Sequence, residues 1–117
     1  MPHMTRQTAN IILYRQRSGL EVFLVSRSRE MRFLGGYLAF PGGKTESGDE
    51  TLPLAWTIDN QQRALLGCAV RELFEETGLL AVGNCSLSKK DTAALRLELL
   101  QGGSAAGFFS TMAENGA

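Results

Sequence analysis

Three glutamates, Glu72, Glu75 and Glu76, stand behind Arg71 and ahead of Gly78 in the segment Arg71-Glu72-Leu73-Phe74-Glu75-Glu76-Thr77-Gly78-Leu79. On a helix their i, i+3 and i+4 spacing shares one face. At roughly 100° per residue the three side chains fall within an arc of about 100°. Like charges that close repel, so a helix carrying them usually has something cationic to hold. A solvated acidic face is the competing reading. Against it, Val70, Leu73 and Thr77 continue a stripe from Leu66 on a different side, giving the helix a core face distinct from its acidic face. Upstream, Phe40-Pro41-Gly42-Gly43-Lys44-Thr45-Glu46-Ser47-Gly48-Asp49 reads as a Gly-rich turn that is itself rich in oxygen donors. Hard cations such as Mg²⁺ prefer carboxylate and carbonyl oxygens, and a glycine lets a backbone carbonyl approach closely because no side chain blocks the way.

Together the two segments resemble the Nudix box: a glycine, five residues, an acid, seven residues, then Arg-Glu-x-x-Glu-Glu-x-Gly. Gly43 matches the leading glycine, and Asp49 stands where the family usually has Glu. The second half fits fully, whereas 21 residues separate Asp49 from Arg71 in place of seven. The box would thus span 43–79 with an insertion at about 50–63. The resemblance runs from about residue 9 to 82. It implies an α/β fold, a Nudix-type α/β/α sandwich with a mixed sheet, and a pyrophosphohydrolase dependent on Mg²⁺ or Mn²⁺. By the same resemblance Glu72, Glu75, Glu76 and the carbonyl of Gly43 are metal ligands. Glu75, Glu76 and Arg71 form the catalytic group, with Arg71 pairing to Glu75 at i+4 and orienting it. The alternative for Arg71, an ordinary surface ion pair, is worth little energetically. Asp49 is one methylene shorter than the family's acid, and its role stays open. Glu46 and Lys44 either keep the turn solvated or, for Lys44, touch a substrate phosphate.

A further stretch resembles the motif upstream of the box in coenzyme A diphosphatases of this superfamily. It comprises Phe23-Leu24-Val25-Ser26-Arg27-Ser28, then Arg32, Gly36 and Phe40-Pro41-Gly42-Gly43, with Val25 where that motif usually has Thr. The long insertion is similar to that of the peroxisomal acyl-CoA diphosphatase branch and its bacterial relatives. The resemblance makes coenzyme A or an acyl-CoA the favoured substrate, with Arg27 and Arg32 facing its phosphates, where guanidinium forks suit phosphate oxygens. A solvated basic loop is the alternative. ADP-ribose, NADH and dinucleoside polyphosphates are the rival substrates, and a catalytically silent fragment or a metal- or nucleotide-binding module is the rival outside enzymology. Gly43-Lys44-Thr45 is not the end of a P-loop, because Leu38 occupies the position that would need glycine.

The elements that must position these residues read as follows. Apolar, β-branched-rich runs at 9–14 and 21–26 flank a Ser18-Gly19 turn, predicting a β-hairpin. A charged loop at 27–36 leads to a short strand at 37–40, which Pro41-Gly42-Gly43 should stop. Residues 51–60 read as a loop or short helical turn. A helix then runs from about 59 or 61 to 77, with Asp59 or Asn60 as N-cap and Gly78 at its end. A strand at 79–82 and a helix at 88–100 follow, the latter started by Ser88 or Asp91 and carrying Leu95, Leu99 and Leu100. Phe108, Phe109 and Met112 predict a second amphipathic helix.

The 117 residues allow one domain. Twelve basic and 12 acidic residues cancel, which gives no electrostatic basis for a nucleic-acid or membrane-surface partner. No apolar run is long enough to span a membrane. Cys68 and Cys85 lack metal-ligand spacing, and Cys68 reads as a small buried residue of a reducing compartment, so a cytoplasmic location is the default. The sequence has no strand-like run after Val82, where Nudix domains continue their sheet. The expectation is therefore a partial domain with an uncovered strand edge, prone to form a homodimer.

Overall fold

Asp59 opens the helix that carries the glutamates. In the computed structural model, which describes residues 7–26, 38–54, 57–83 and 85–116, its carboxylate accepts a hydrogen bond from the Gln62 amide at 2.8 Å. Helix α1 then runs Asn60–Thr77. Gly78, with φ 79°, closes it by donating its amide to Phe74 O at 2.8 Å, a left-handed end that glycine adopts without penalty. The buried side of α1 comprises Gly67, Cys68, Ala69, Val70, Arg71, Leu73 and Phe74. Leu66, expected to head the apolar stripe, is instead 42% exposed.

Helix α2, Lys89–Leu100, is capped by Ser88, whose hydroxyl accepts from the Asp91 amide at 3.1 Å. Asp91 itself sits in the first turn, where a negative charge favours the helix start. Helix α3, Ala105–Glu114, is capped by Ser104 in the same way. The core lies among these three helices: Leu52, Val70, Phe74, Leu95, Leu99, Phe108, Phe109 and Met112 pack together, with Phe74 and Phe108 stacked at 5.1 Å between centroids. Leu95 and Leu99 point inward as expected, while Leu100 is 55% exposed.

The strands are short: β1 Thr8–Asn10, β2 Tyr14–Gln16, β3 Leu20–Val22, β4 Val25–Ser26, β5 Leu38–Ala39 and β6 Gly42–Lys44. Among the described residues they form three antiparallel pairs, β1–β6, β2–β3 and β4–β5, where one mixed sheet was expected. The hairpin is present, but its arms are divided. Residues 8–10 leave the expected first strand to pair with 42–44, and only 14–16 pair with 20–22. Every residue of β2 and β3 is exposed, Tyr14 at 74% and Leu20 at 66%.

Two expectations about turns and strands are overturned. The short strand does stop ahead of Pro41, at Ala39, but Gly42-Gly43 is not a turn, because Gly42–Lys44 is a new strand in register with Thr8–Asn10. A side chain at Gly42 would overlap Asn10 and the Ala9 carbonyl, so the glycine is what lets the two backbones meet. The run 79–82 forms no strand: Leu80 and Val82 pack against the helical core instead. The segment after the Gly-rich strand makes a 3-10 turn, Asp49–Thr51, which begins before the expected span and is followed by buried Leu52. The expected charged loop at 27–36, with Arg27 and Arg32, lies outside the described residues, as do Tyr37 and Trp56.

Candidate active site

The site is organised around a buried guanidinium. Arg71 is 1% exposed and Asp49, its principal partner, is fully buried. Arg71 Nε donates to Asp49 Oδ1 at 2.8 Å and Nη2 donates to Asp49 Oδ2 at 3.2 Å, a two-pronged pairing that fixes both distance and orientation. Nη2 also donates to the Lys44 carbonyl at 3.0 Å. Nη1 donates to Glu72 Oε1 at 3.0 Å and Glu75 Oε2 at 3.2 Å, and Glu46 Oε1 lies 3.4 Å from Nε. Asp49 is held in turn by the Glu46 amide, which donates to its Oδ2 at 2.8 Å. The ordinary surface pair is therefore ruled out as a description of Arg71. The i+4 contact with Glu75 exists, within a larger set dominated by Asp49.

Two glycines make this closeness feasible. Gly67 lies on the α1 face that receives the 3-10 turn, and a Cβ there would overlap the Asp49 carbonyl oxygen. Gly43 of β6 faces Glu72, where a Cβ would come within 2.6–2.8 Å of the carboxylate. Cys68, one position after Gly67, donates its thiol to the Gly43 carbonyl at 3.4 Å. Residues 68 and 71 of α1 thus tie down the consecutive carbonyls of Gly43 and Lys44. Burial pushes the Cys68 thiol up to about 11, and the Asp49 charge adds to the effect.

Four carboxylates, those of Glu46, Asp49, Glu72 and Glu75, share this single guanidinium. Burial by itself would lower the Arg71 affinity for its proton, but the hydrogen bond and charge of Asp49, with Glu75 and Glu72, hold it above its ordinary range. The glutamates feel the opposite imbalance. Burial raises Glu72 above the usual carboxylate range, Arg71 pulls it back, and the charges of Glu76 and Glu46 push it up again. Burial also raises Glu75, with the Glu72 charge next, against the pull of Arg71.

The α1 face and the Gly43 carbonyl offer hard oxygen donors, the type that Mg²⁺ and Mn²⁺ take. The negative charge around Arg71 exceeds what one guanidinium neutralises, and the missing Cβ of Gly43 leaves the Glu72 carboxylate room. The donor set therefore fits a divalent cation in kind. In the present arrangement Glu72 and Glu75 are turned onto Arg71, and among the described residues no three His, Cys, Asp or Glu side chains converge on one point. Glu76 is exposed on the same helix, its charge felt at Glu72. The Lys44 side chain is exposed, and its contribution to the buried cluster is its carbonyl.

Residues 4–93 match the family profile described as NUDIX domain. The chain belongs to the Nudix family. Its α/β fold agrees with a solved structure, the Nudix hydrolase from Alicyclobacillus acidocaldarius, at 29% sequence identity and a TM-score of 0.65. The similarity covers 90% of this chain and 54% of that one, so this Nudix chain spans about half the length of that protein. No curated protein matches it in sequence. No described helix is long and apolar enough to cross a membrane.

Sequence reasoning left Asp49 open and missed Gly67 and the Cys68 contact. A glycine within an otherwise strong helix costs about 1 kcal/mol relative to alanine, and that local cost was the available signal for Gly67.

Proposed function

We propose that this Nudix chain carries a divalent-cation site for hydrolysis of the pyrophosphate bond in a nucleoside diphosphate linked to another group, with coenzyme A or an acyl-CoA as the favoured substrate. The observation that carries the reading is the charge imbalance, four carboxylates around one buried guanidinium on a helix with the family's spacing. Glu72, Glu75 and Glu76, with the Gly43 carbonyl, would hold Mg²⁺ or Mn²⁺. A bound cation supplies charge neutralisation at the phosphoryl oxygens, the dominant demand of such a reaction.

The chain's own residues divide the remaining work. Asp49 fixes Arg71 from the side away from Glu72 and Glu75, so the guanidinium keeps those two carboxylates together despite their repulsion. Arg71 is too buried to reach a substrate in this arrangement, so we assign it a positioning role. Gly43 leaves the space in which the Glu72 carboxylate sits. Arg27, Arg32 and Lys44 are proposed to contact the substrate phosphates, and the coenzyme A motif supports that choice. A cytoplasmic setting, which the free Cys68 and Cys85 suit, belongs to the same reading.

The test is product analysis by chromatography with coenzyme A and ADP-ribose as parallel substrates in Mg²⁺, for wild type, Glu75→Gln and Glu76→Gln. We expect coenzyme A to give an adenosine bisphosphate and a phosphopantetheine product, and each variant to lose at least a hundredfold in rate while retaining its circular dichroism, on the order of 3 kcal/mol of transition-state stabilisation. Unchanged turnover in both variants would sink the ligand assignment. Turnover of ADP-ribose alone would sink the substrate, and turnover of neither by wild type would overturn the hydrolase reading in favour of a catalytically silent fragment or a metal- or nucleotide-binding module.

A further inference from the structure

We propose that Arg96 of α2 is a positioning residue for the carboxylates at the end of α1, so that a residue outside the family match completes the site. The inference rests on the cation-holding role proposed above for Glu75 and Glu76. The last carbonyls of any α-helix lack intrahelical donors. At the end of α1 the Gly78 amide goes to Phe74 O at 2.8 Å. The next amide, Leu79 N, turns to Thr77 Oγ1 at 3.1 Å and so does not continue the ladder to Glu75 O. Arg96 takes that place from another helix: its Nε and Nη2 both donate to Glu75 O, at 3.1 and 2.9 Å.

Two donors on one oxygen constrain direction as well as distance. The charge is also of the favourable sign, because a helix C-terminus is the negative end of its dipole and α1 has no basic residue in its own last turn. Arg96 is held in place by its neighbours. Leu95 and Leu99 of the same helix are buried against Phe74 and Phe108, and the Arg96 side chain lies along Gly78, whose missing Cβ would sit 3.5 Å from Arg96 Cδ. The carbonyl it grips belongs to the residue whose side chain is bonded to Arg71. One arginine thus holds the Glu75 carboxylate and a second holds its backbone, three positions beyond the family match at 4–93. Helix ends fray, and fraying of this end would carry Glu75 and Glu76 away from Glu72.

A cap that serves only stability would change the melting temperature and leave cation affinity alone. The experiment separates the two by measuring Mn²⁺ binding directly, from the electron paramagnetic resonance of the free ion, beside thermal melts in chelator. The proteins are wild type, Arg96→Met, Arg96→Lys and Asp59→Ala, the last removing the exposed N-cap at the opposite end of α1 from Glu75 and Glu76. We expect Arg96→Met to weaken Mn²⁺ binding about tenfold or more, Arg96→Lys to recover part of it, and Asp59→Ala to lower the melting temperature with Mn²⁺ affinity unchanged. If Arg96→Met does not fold, Arg96→Lys must still bind Mn²⁺ more weakly than Asp59→Ala. Mn²⁺ affinity equal to wild type in both Arg96 variants overturns the inference and leaves the site intact. Absence of Mn²⁺ binding by the wild type overturns the site reading itself.

Discussion

Replacing Gly67 by alanine is the sharpest test of how the site is built. In an ordinary helix interior the change is worth about 1 kcal/mol in favour of alanine. At residue 67 the new methyl would overlap the Asp49 carbonyl oxygen and lie 2.9 Å from the Asp49 carbonyl carbon and 3.2 Å from its Cα. These are backbone atoms of a residue pinned from its other end by Arg71 at 2.8 Å, so relief requires the whole 3-10 turn to move. Overpacking of this kind costs about 1–3 kcal/mol. Stretching the Arg71–Asp49 pair adds a fraction of the 3–5 kcal/mol typical of breaking a buried ion pair. Net of the propensity gain, we expect Gly67→Ala to lose about 1–3 kcal/mol, or roughly 5–15 °C in Tm for a domain of this size. Urea and thermal melts followed by circular dichroism measure it, with Gly107→Ala in α3 as the comparison. There the added Cβ meets only the Ser104 hydroxyl, at 3.1 Å, and the expected change lies between neutral and a gain of about 1 kcal/mol. A Gly67→Ala protein as stable as wild type would refute the docking of the acidic turn onto α1.

Gly43→Ala should separate cation binding from folding. Its Cβ meets the flexible end of Glu72 at 2.6 Å, so Tm should move by no more than a few degrees while Mn²⁺ affinity, read by the same resonance assay, falls about tenfold, a loss of roughly 1.4 kcal/mol; an unchanged affinity would show that cation binding does not need the room Gly43 leaves for the Glu72 carboxylate. The two thiols should differ sharply toward a disulfide reagent. Burial pushes the Cys68 thiol up to about 11 and also shields it from a reagent, so the half-buried Cys85 should react first and Cys68 only on unfolding; equal rates in native protein would contradict the burial of Cys68 against the Gly43 carbonyl.

The elements governed by local chemistry were legible. Asp59 and Ser88 have cap-forming side chains, Gly78 can take the left-handed backbone, and the spacing of Leu95, Leu99, Phe108 and Met112 follows a helical face. The carboxylate face of α1 was also legible, because i, i+3 and i+4 positions meet whatever the rest of the chain does. What escaped is non-local. Gly42 and Gly43 carry the composition of a turn, yet pairing with Thr8–Asn10 makes them a strand. Leu80 and Val82 have strand-like side chains, but the helical core takes them up. Arg71 read as a helix-surface partner for Glu75 because Asp49, 22 positions away, had no periodicity to announce it.

The docking of Asp49 at Gly67 has a consequence for the connection between them. Because the acidic turn is located by contact with the middle of α1, the length of chain joining the core residues Leu52 and Leu54 to the Asp59 cap need not set the distance from Asp49 to the carboxylates. That length can drift at the slow cost of closing a larger loop, about 0.6 kcal/mol per doubling. A spacer released from its ruler role is a natural place for a lineage to add residues, and for an experimenter to graft them, without rewriting the helix that does the chemistry.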